Sequence, residues 1–142
     1  MKISKRSCLC ILIASMLSLI TFLSRTRPAQ GQNHDVAAIE IIAKKYEYSI
    51  SPVHMKIGTR VQLKITAVDH DHGFKIATIP DGASPNDPAG LIFTYPQDCW
   101  QLHKGETTTI DLLAQTRGTY TFRCCLTCGL GHKGMKGQIV VD

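Results

Sequence analysis

Residues 60–65 read Arg-Val-Gln-Leu-Lys-Ile, a strict alternation of polar and apolar side chains. Successive side chains of a β-strand point to opposite faces, so this period of two predicts a strand with one face buried and the other in water. Residues 119–122, Thr-Tyr-Thr-Phe, repeat the pattern. The two segments favour an all-β fold.

Further segments with strand character are separated by turn residues, and none shows a helical period of useful length. The predicted strands are Val36–Ala43, Tyr46–Ile50, Arg60–Ala67, Gly73–Thr78, Thr107–Ala114, Gly118–Cys124 and Lys136–Val141. Short strands joined by glycine turns predict an antiparallel β-sandwich with a Greek-key path. Residues 80–96 are rich in Pro, Gly, Asp and Asn, which predicts a long loop.

The N-terminal segment resembles an export signal. A basic start precedes an uncharged, largely apolar stretch at residues 7–24, and small residues before Gln32 provide a cleavage site after Gly31. An uncleaved single membrane anchor is the alternative. We therefore expect residues 1–31 to be a signal peptide or anchor and residues 32–142 to form one domain.

The net positive charge of the chain comes from that leader. The whole sequence has 16 basic and 11 acidic residues, for a net charge of +5. Five of the basic residues and none of the acidic ones lie in residues 1–31, so the remainder carries 11 of each. The predicted domain therefore lacks the excess of positive charge that is typical of nucleic-acid-binding proteins.

The cysteines of the predicted domain are unevenly spaced. Cys124, Cys125 and Cys128 lie within five residues of one another, which is too crowded for an ordinary disulfide framework and favours metal or redox chemistry. We expect Cys99, beside Trp100, to be a buried small apolar residue, with a disulfide to Cys125 as the alternative.

The chemistry concentrates in residues 124–135, which read Cys-Cys-Leu-Thr-Cys-Gly-Leu-Gly-His-Lys-Gly-Met. Thiolate, imidazole and thioether groups are ligands that suit copper. The glycines allow the loop to fold tightly around a metal. A disulfide or a zinc site is the alternative, although zinc does not require the methionine. The segment predicts a copper site at one end of the sandwich.

This segment resembles the CuA domain of haem-copper oxidase subunit II and of nitrous oxide reductase. That family has a cysteine followed by Cys, His and Met at four, eight and eleven residues further on, matched here by Cys124, Cys128, His132 and Met135. The family also takes a histidine from an Asp-x-x-His-Gly-Phe setting. Residues 69–74 match that setting, and their matching histidine is His72.

The resemblance implies a cupredoxin fold with a binuclear copper centre. Cys124 and Cys128 would bridge two copper ions, and His72 and His132 would each bind one of them. Met135 would be a weak ligand, and Leu126 would contribute its main-chain carbonyl.

The resemblance also implies a function. We expect an exported single-electron carrier of a respiratory chain, without a small-molecule substrate, whose partners are redox proteins such as cytochrome c or an oxidase subunit. Oxidase subunit II usually has two membrane helices before this domain, so we expect a free-standing or singly anchored relative in the periplasm. The alternatives are a copper-delivery or buffering protein, and a thiol oxidoreductase that uses Cys125-x-x-Cys128.

Residues near the predicted ligands have less specific roles. For Asp69, His70 and Asp71 we expect a solvated strand end or hydrogen bonds to a ligand rather than direct ligation. Cys124 should share the inward face of its strand with apolar residues, whereas Cys125 should point away from the metals. We expect surface positions for the remaining histidines, His34, His54 and His103.

Overall fold

The computed structural model describes residues 36–142, so the predicted leader at residues 1–31 lies outside the described residues. The strands are β1 (Ala37–Lys44), β2 (Glu47–Tyr48), β3 (Val53–Met55), β4 (Arg60–Ala67), β5 (His72–Ile76), β6 (Leu91–Phe93), β7 (Trp100–Leu102), β8 (Thr107–Ala114), β9 (Gly118–Arg123) and β10 (Lys136–Val141). A 3-10 turn spans His132–Gly134. No helix in this part of the chain is long and apolar enough to span a membrane.

The strands form two five-stranded sheets, in the orders β2-β1-β4-β8-β6 and β3-β10-β9-β5-β7. This confirms the predicted all-β sandwich, but the antiparallel pairing predicted for it does not extend to every pair of strands. The β1–β4 and β3–β10 pairs are parallel. The chain crosses to the second sheet at β3 before it returns to β4, which allows β4 to run in the same direction as β1. Side-chain alternation is the same in both pairings, so it could not reveal this.

Strands with long alternating patterns were predicted best. The predicted bounds of β4, β8 and β10 agree with the structure. The three-residue strands β3, β6 and β7 were missed, and β6 lies inside the segment predicted to be a long loop. Three residues are too few to establish an alternation, and the Pro and Gly residues nearby dominate the pattern.

An aromatic cluster in the core supports one end of the second sheet. The ring centroids of Phe74 and Phe122 are 5.0 Å apart, and Tyr48 packs edge-on against Phe122 at 5.1 Å. Such pairs add roughly 0.5–1.5 kcal/mol beyond the burial of their area. This cluster provides a rigid base for the residues at the adjoining strand ends.

Three strand ends meet above this cluster. β9 ends at Arg123, residues 124–135 form a loop, and β10 returns antiparallel beside β9. The Cys124 N–H donates to the Met135 carbonyl at 2.9 Å, which closes the base of the loop. β5 lies on the other side of β9 with Lys75 opposite Arg123, so the first residue of β5, His72, extends beyond the end of β9.

Candidate metal centre

The loop contains a pair of free thiols. Cys124 Sγ lies 3.3 Å from Cys128 Sγ, with Cys124 buried and Cys128 partly exposed. Burial, followed by the hydrogen bond with Cys124, raises the pKa of the Cys128 thiol to about 11. Two sulfurs at this separation can ligate a common metal ion, and ligation would require loss of the Cys128 proton.

Two histidines present buried nitrogen atoms that lack hydrogen-bond partners. Within the described part of the chain, His72 Nδ1 and His132 Nδ1 are buried and unpaired. The other nitrogen of His72, Nε2, lies 2.7 Å from Asp69 Oδ1. Buried polar atoms are almost always paired. A histidine that ligates a metal typically directs its second nitrogen to a carboxylate or carbonyl, as His72 does. A role as metal ligand fits each of these unpartnered Nδ1 atoms.

The other predicted ligands lie at the same end of the sandwich. Met135 is fully buried where the loop rejoins β10. The Leu126 carbonyl oxygen is 3.2 Å from Cys124 Sγ. Candidate ligand atoms of His72 and Cys128 lie within 4.8 Å of each other, and His132 lines one cleft together with Cys124. All six predicted ligands therefore lie at this end of the sandwich, but the group of three His, Cys, Asp or Glu residues in the described part of the chain whose ligand atoms lie within 4.8 Å of one another is His70, His72 and Cys128.

His70 also approaches this group, since one of its nitrogens lies within 4.8 Å of ligand atoms of His72 and Cys128. Both of its ring nitrogens are engaged, however. Nε2 lies 2.9 Å from the Cys128 carbonyl oxygen, and Nδ1 lies 3.1 Å from Asp69 Oδ2. We therefore interpret His70 as a residue that holds the loop and not as a ligand, in agreement with the expectation from the sequence.

Asp69 connects these histidines to the backbone. It contacts His72 Nε2, and it accepts hydrogen bonds from the backbone N–H groups of Lys45 at 2.7 Å and His70 at 2.9 Å. Burial opposes ionisation of this carboxyl, but the hydrogen bonds outweigh it and hold the pKa of Asp69 well below its usual range. Asp69 therefore stays ionised and restricts the orientation of the His72 ring.

Tyr48 supports the residues of the site from the core, and sequence reasoning did not single it out. Its hydroxyl donates a hydrogen bond of 2.6 Å to the Gly73 carbonyl, one residue after His72. The Gly73 N–H in turn donates to Cys124 Sγ at 3.4 Å. Burial, with a smaller contribution from negative charge on the two thiols, raises the pKa of Tyr48 far above its usual range. The phenol therefore remains a neutral donor.

Cys99 and Cys125 form a disulfide with a Cα–Cα distance of 5.9 Å. The expectation that Cys99 is a buried apolar residue was therefore wrong, and the alternative was right. β7 pairs with β5, which places the residue before Trp100 next to the end of β9. Because β7 was not predicted, this proximity could not be inferred. The disulfide also prevents Cys125 from pairing with Cys128.

The two-sheet architecture is the cupredoxin fold, and several solved structures share it. Auracyanin A from Chloroflexus aurantiacus superposes with a TM-score of 0.56 at 13% identity, covering 75% of this chain and 98% of that one. The periplasmic domain of subunit II of cytochrome oxidase from Bradyrhizobium japonicum gives 0.55 at 14% identity, with coverages of 75% and 83%. A chain of a haem-copper terminal oxidase dimer gives 0.56 at 20% identity, with coverages of 96% and 95%.

Sequence comparison finds similarity to subunit 2 of cytochrome c oxidase. Cytochrome c oxidase subunit 2 from Thermus thermophilus is 29% identical over 103 residues, or 72% of this chain. The match covers 64% of that relative and 51% of a second sequence from the same species, so the chain spans between half and two thirds of the curated relatives it matches. No protein-family model matches. The resemblance to the CuA-type cupredoxin domain of oxidase subunit II is confirmed.

Proposed function

We propose that this domain holds a binuclear CuA-like copper centre and transfers single electrons in a respiratory chain. The observation that carries the proposal is the pair of buried, unpartnered Nδ1 atoms of His72 and His132 at the same end as a thiol pair 3.3 Å apart. Imidazole, thiolate and thioether donors together suit copper better than zinc or a hard cation. The similarity to oxidase subunit II supports the same conclusion.

The proposed ligands are those that the resemblance implies, and the geometry supports them. Cys124 and Cys128 would hold the copper ions through their thiolates, and His72 and His132 would bind through Nδ1. Weaker bonds would come from the Met135 thioether and the Leu126 carbonyl. Copper, when bound, would supply a centre that accepts and releases one electron.

The protein holds these donors in place before any metal arrives. Asp69 orients the His72 ring, the Gly73 N–H contacts Cys124 Sγ, and the Met135 carbonyl closes the loop. Buried donors with several constraints rearrange little when the charge of the centre changes. Such an arrangement suits electron transfer better than substrate chemistry, and we infer a carrier rather than a catalyst.

The copper content and spectra of the loaded full chain test this proposal. We expect two coppers per chain and a purple, mixed-valence centre by absorption and electron paramagnetic resonance. One copper per chain with a blue spectrum would contradict the binuclear centre, although the cupredoxin fold would stand.

The two alternative functions differ in how they fit the structure. A copper-delivery protein would use similar ligands but must surrender its metal, whereas fully buried His72 and Met135 favour retention. Rapid loss of copper to a chelator would favour delivery. The thiol oxidoreductase is disfavoured because Cys125 is bonded to Cys99.

We further propose an extracytoplasmic location, with cytochrome c or an oxidase subunit as the redox partner. The similarity to oxidase subunit II supports both parts of this proposal. The Cys99–Cys125 disulfide supports the location, because such bonds persist in oxidising compartments. N-terminal sequencing of the native protein should return Gln32. A start at Met1 or Lys2 would instead indicate a retained anchor.

A further inference from the structure

Three cationic residues lie side by side on the outer face of the second sheet. Lys75 of β5 and Lys136 of β10 are each directly opposite Arg123 of β9. Their neighbours along each strand are buried, so the three side chains point outward. Like charges directly opposite each other destabilise a sheet. We call these three residues the basic row.

The charge of the basic row is not neutralised within the described part of the chain. None of its members, nor the nearby Lys133, forms an ion pair there. Asp98 lines a neighbouring cleft together with Lys75 but lies outside ion-pair distance. Cations that repel one another without a carboxylate partner leave a site that an external anion would stabilise.

The basic row borders an open cleft that reaches the candidate copper centre. The cleft has a volume of about 460 Å³, and its lining contains three cations and no carboxylate: Lys75, Arg123, Cys124, Cys125, His132 and Lys133. Two of these residues, Cys124 and His132, are proposed copper ligands. An anion in the cleft would therefore lie beside the centre.

We propose that the basic row and Lys133 dock the acidic surface of a redox partner protein. This inference rests on the proposed electron-transfer function. Complementary charge patches accelerate encounter and orient the partners, and salt weakens the effect. Carboxylates of the partner in the cleft would bring the partner's surface next to His132. A protein fits better than nucleic acid because the patch adjoins the ligands and residues 32–142 carry as many acidic as basic residues.

Oxidation of the reduced, copper-loaded full chain by small probes tests the electrostatics. One electron passes from the protein to hexacyanoferrate(III), an anion, or to tris(phenanthroline)cobalt(III), a cation. We expect the rate with the anion to fall roughly fivefold between about 10 mM and 500 mM salt, and the rate with the cation not to fall. The double variant Lys75→Gln/Arg123→Gln should lower the low-salt rate with the anion roughly three- to tenfold.

Lys56→Gln is the matched control, because Lys56 is an exposed lysine at the opposite end of the same sheet. It should leave both rates unchanged. If the double variant has a normal copper content and spectrum but an unchanged rate with hexacyanoferrate(III), the docking proposal is wrong.

A second measurement does not depend on electron transfer. Redox-inert, paramagnetic hexacyanochromate(III) should broaden backbone amide signals of the basic row and Lys133 more than those around Lys56. Even broadening over the surface would overturn the docking site while the proposed function stands. Displacement by low millimolar inorganic phosphate would indicate a small-anion site and would also overturn it. If the signals of the basic row and Lys133 broaden selectively but the protein loads no copper, the proposed function is contradicted and the anion-binding surface is not.

Discussion

Cys124 and Cys125 are consecutive in the chain and face opposite sides of the strand end. Cys124 Sγ lies 3.3 Å from Cys128 Sγ, whereas Cys125 Sγ is bonded to Cys99. The alternation of Tyr120 and Phe122 toward the core predicted this orientation from the sequence. One cysteine is therefore available to a metal, and its neighbour ties the loop to β7.

The first prediction separates these two roles by substitution. Cys99→Ser/Cys125→Ser should retain two coppers and the purple spectrum, because neither residue is a proposed ligand. Its free energy of unfolding should fall by roughly 3 kcal/mol, since the disulfide spans 26 residues of sequence. Cys124→Ser should leave a mononuclear site or none. Metal analysis, absorption spectra and urea unfolding provide the measurements.

The reverse pattern would contradict both the strand register and the ligand assignment. If Cys124→Ser kept two coppers and the Cys99/Cys125 variant lost them, Cys125 and not Cys124 would be the ligand.

A second prediction concerns Asp69, which orients His72. Asp69→Asn should accelerate copper loss to a chelator by roughly 10- to 100-fold, because a weaker acceptor holds the ring less firmly. Asp71→Asn is the matched control, since Asp71 is exposed and accepts from the Lys104 N–H away from the ligands. Equal chelator rates for the two variants would show that Asp69 does not position His72.

A third prediction uses two glycines near the centre. A Cβ at Gly73 would lie 2.6 Å from Cys125 Sγ and 2.7 Å from Leu126 N, whereas one at Gly134 would meet nothing within 4 Å. Gly73→Ala should destabilise the domain by about 1–3 kcal/mol and perturb the copper spectrum, because the start of the loop must move. Gly134→Ala should change neither quantity appreciably. A normal spectrum and stability for Gly73→Ala would show that the loop is adaptable.

A fourth prediction concerns alkaline pH in the metal-free protein. Folding raises the pKa of Cys128 from 9.0 to about 11, so the folded state binds this proton more tightly than the unfolded state. The resulting stability is complete below about pH 9 and is lost as the pH rises toward 11. The pKa of Tyr48 is also raised from 10.0, so ionisation of this residue lowers the stability of the fold in the same way at higher pH.

Urea unfolding at about pH 8 and about pH 10.5 would measure this loss of stability. Cys128→Ser should show a smaller loss than the parent protein, because it lacks the titrating thiol. An equal loss in both proteins would assign the effect to other groups such as Tyr48.

The features that could be predicted depend on residues close together in the sequence, whereas the others depend on contacts between residues far apart in the sequence. The candidate ligands between Cys124 and Met135 lie within one loop, so their residue types and their spacing were enough to indicate them. Alternation predicted β4 and β8 for the same local reason. The partner of Cys99 depends on the pairing of β7 with β5 across a long stretch of sequence. The Tyr48 hydrogen bond to Gly73 likewise depends on how two distant segments pack.

The Cys99–Cys125 disulfide has a consequence for the order of maturation. Four cysteines in the domain can be oxidised in several combinations, and only this bond leaves Cys124 and Cys128 together as thiols. The pairing of β7 beside β5 brings the correct sulfurs together, so the native fold itself selects the bond. A chain oxidised before that strand pairing forms can trap a cysteine that copper requires. The domain therefore reaches its metal-ready state when folding precedes oxidation.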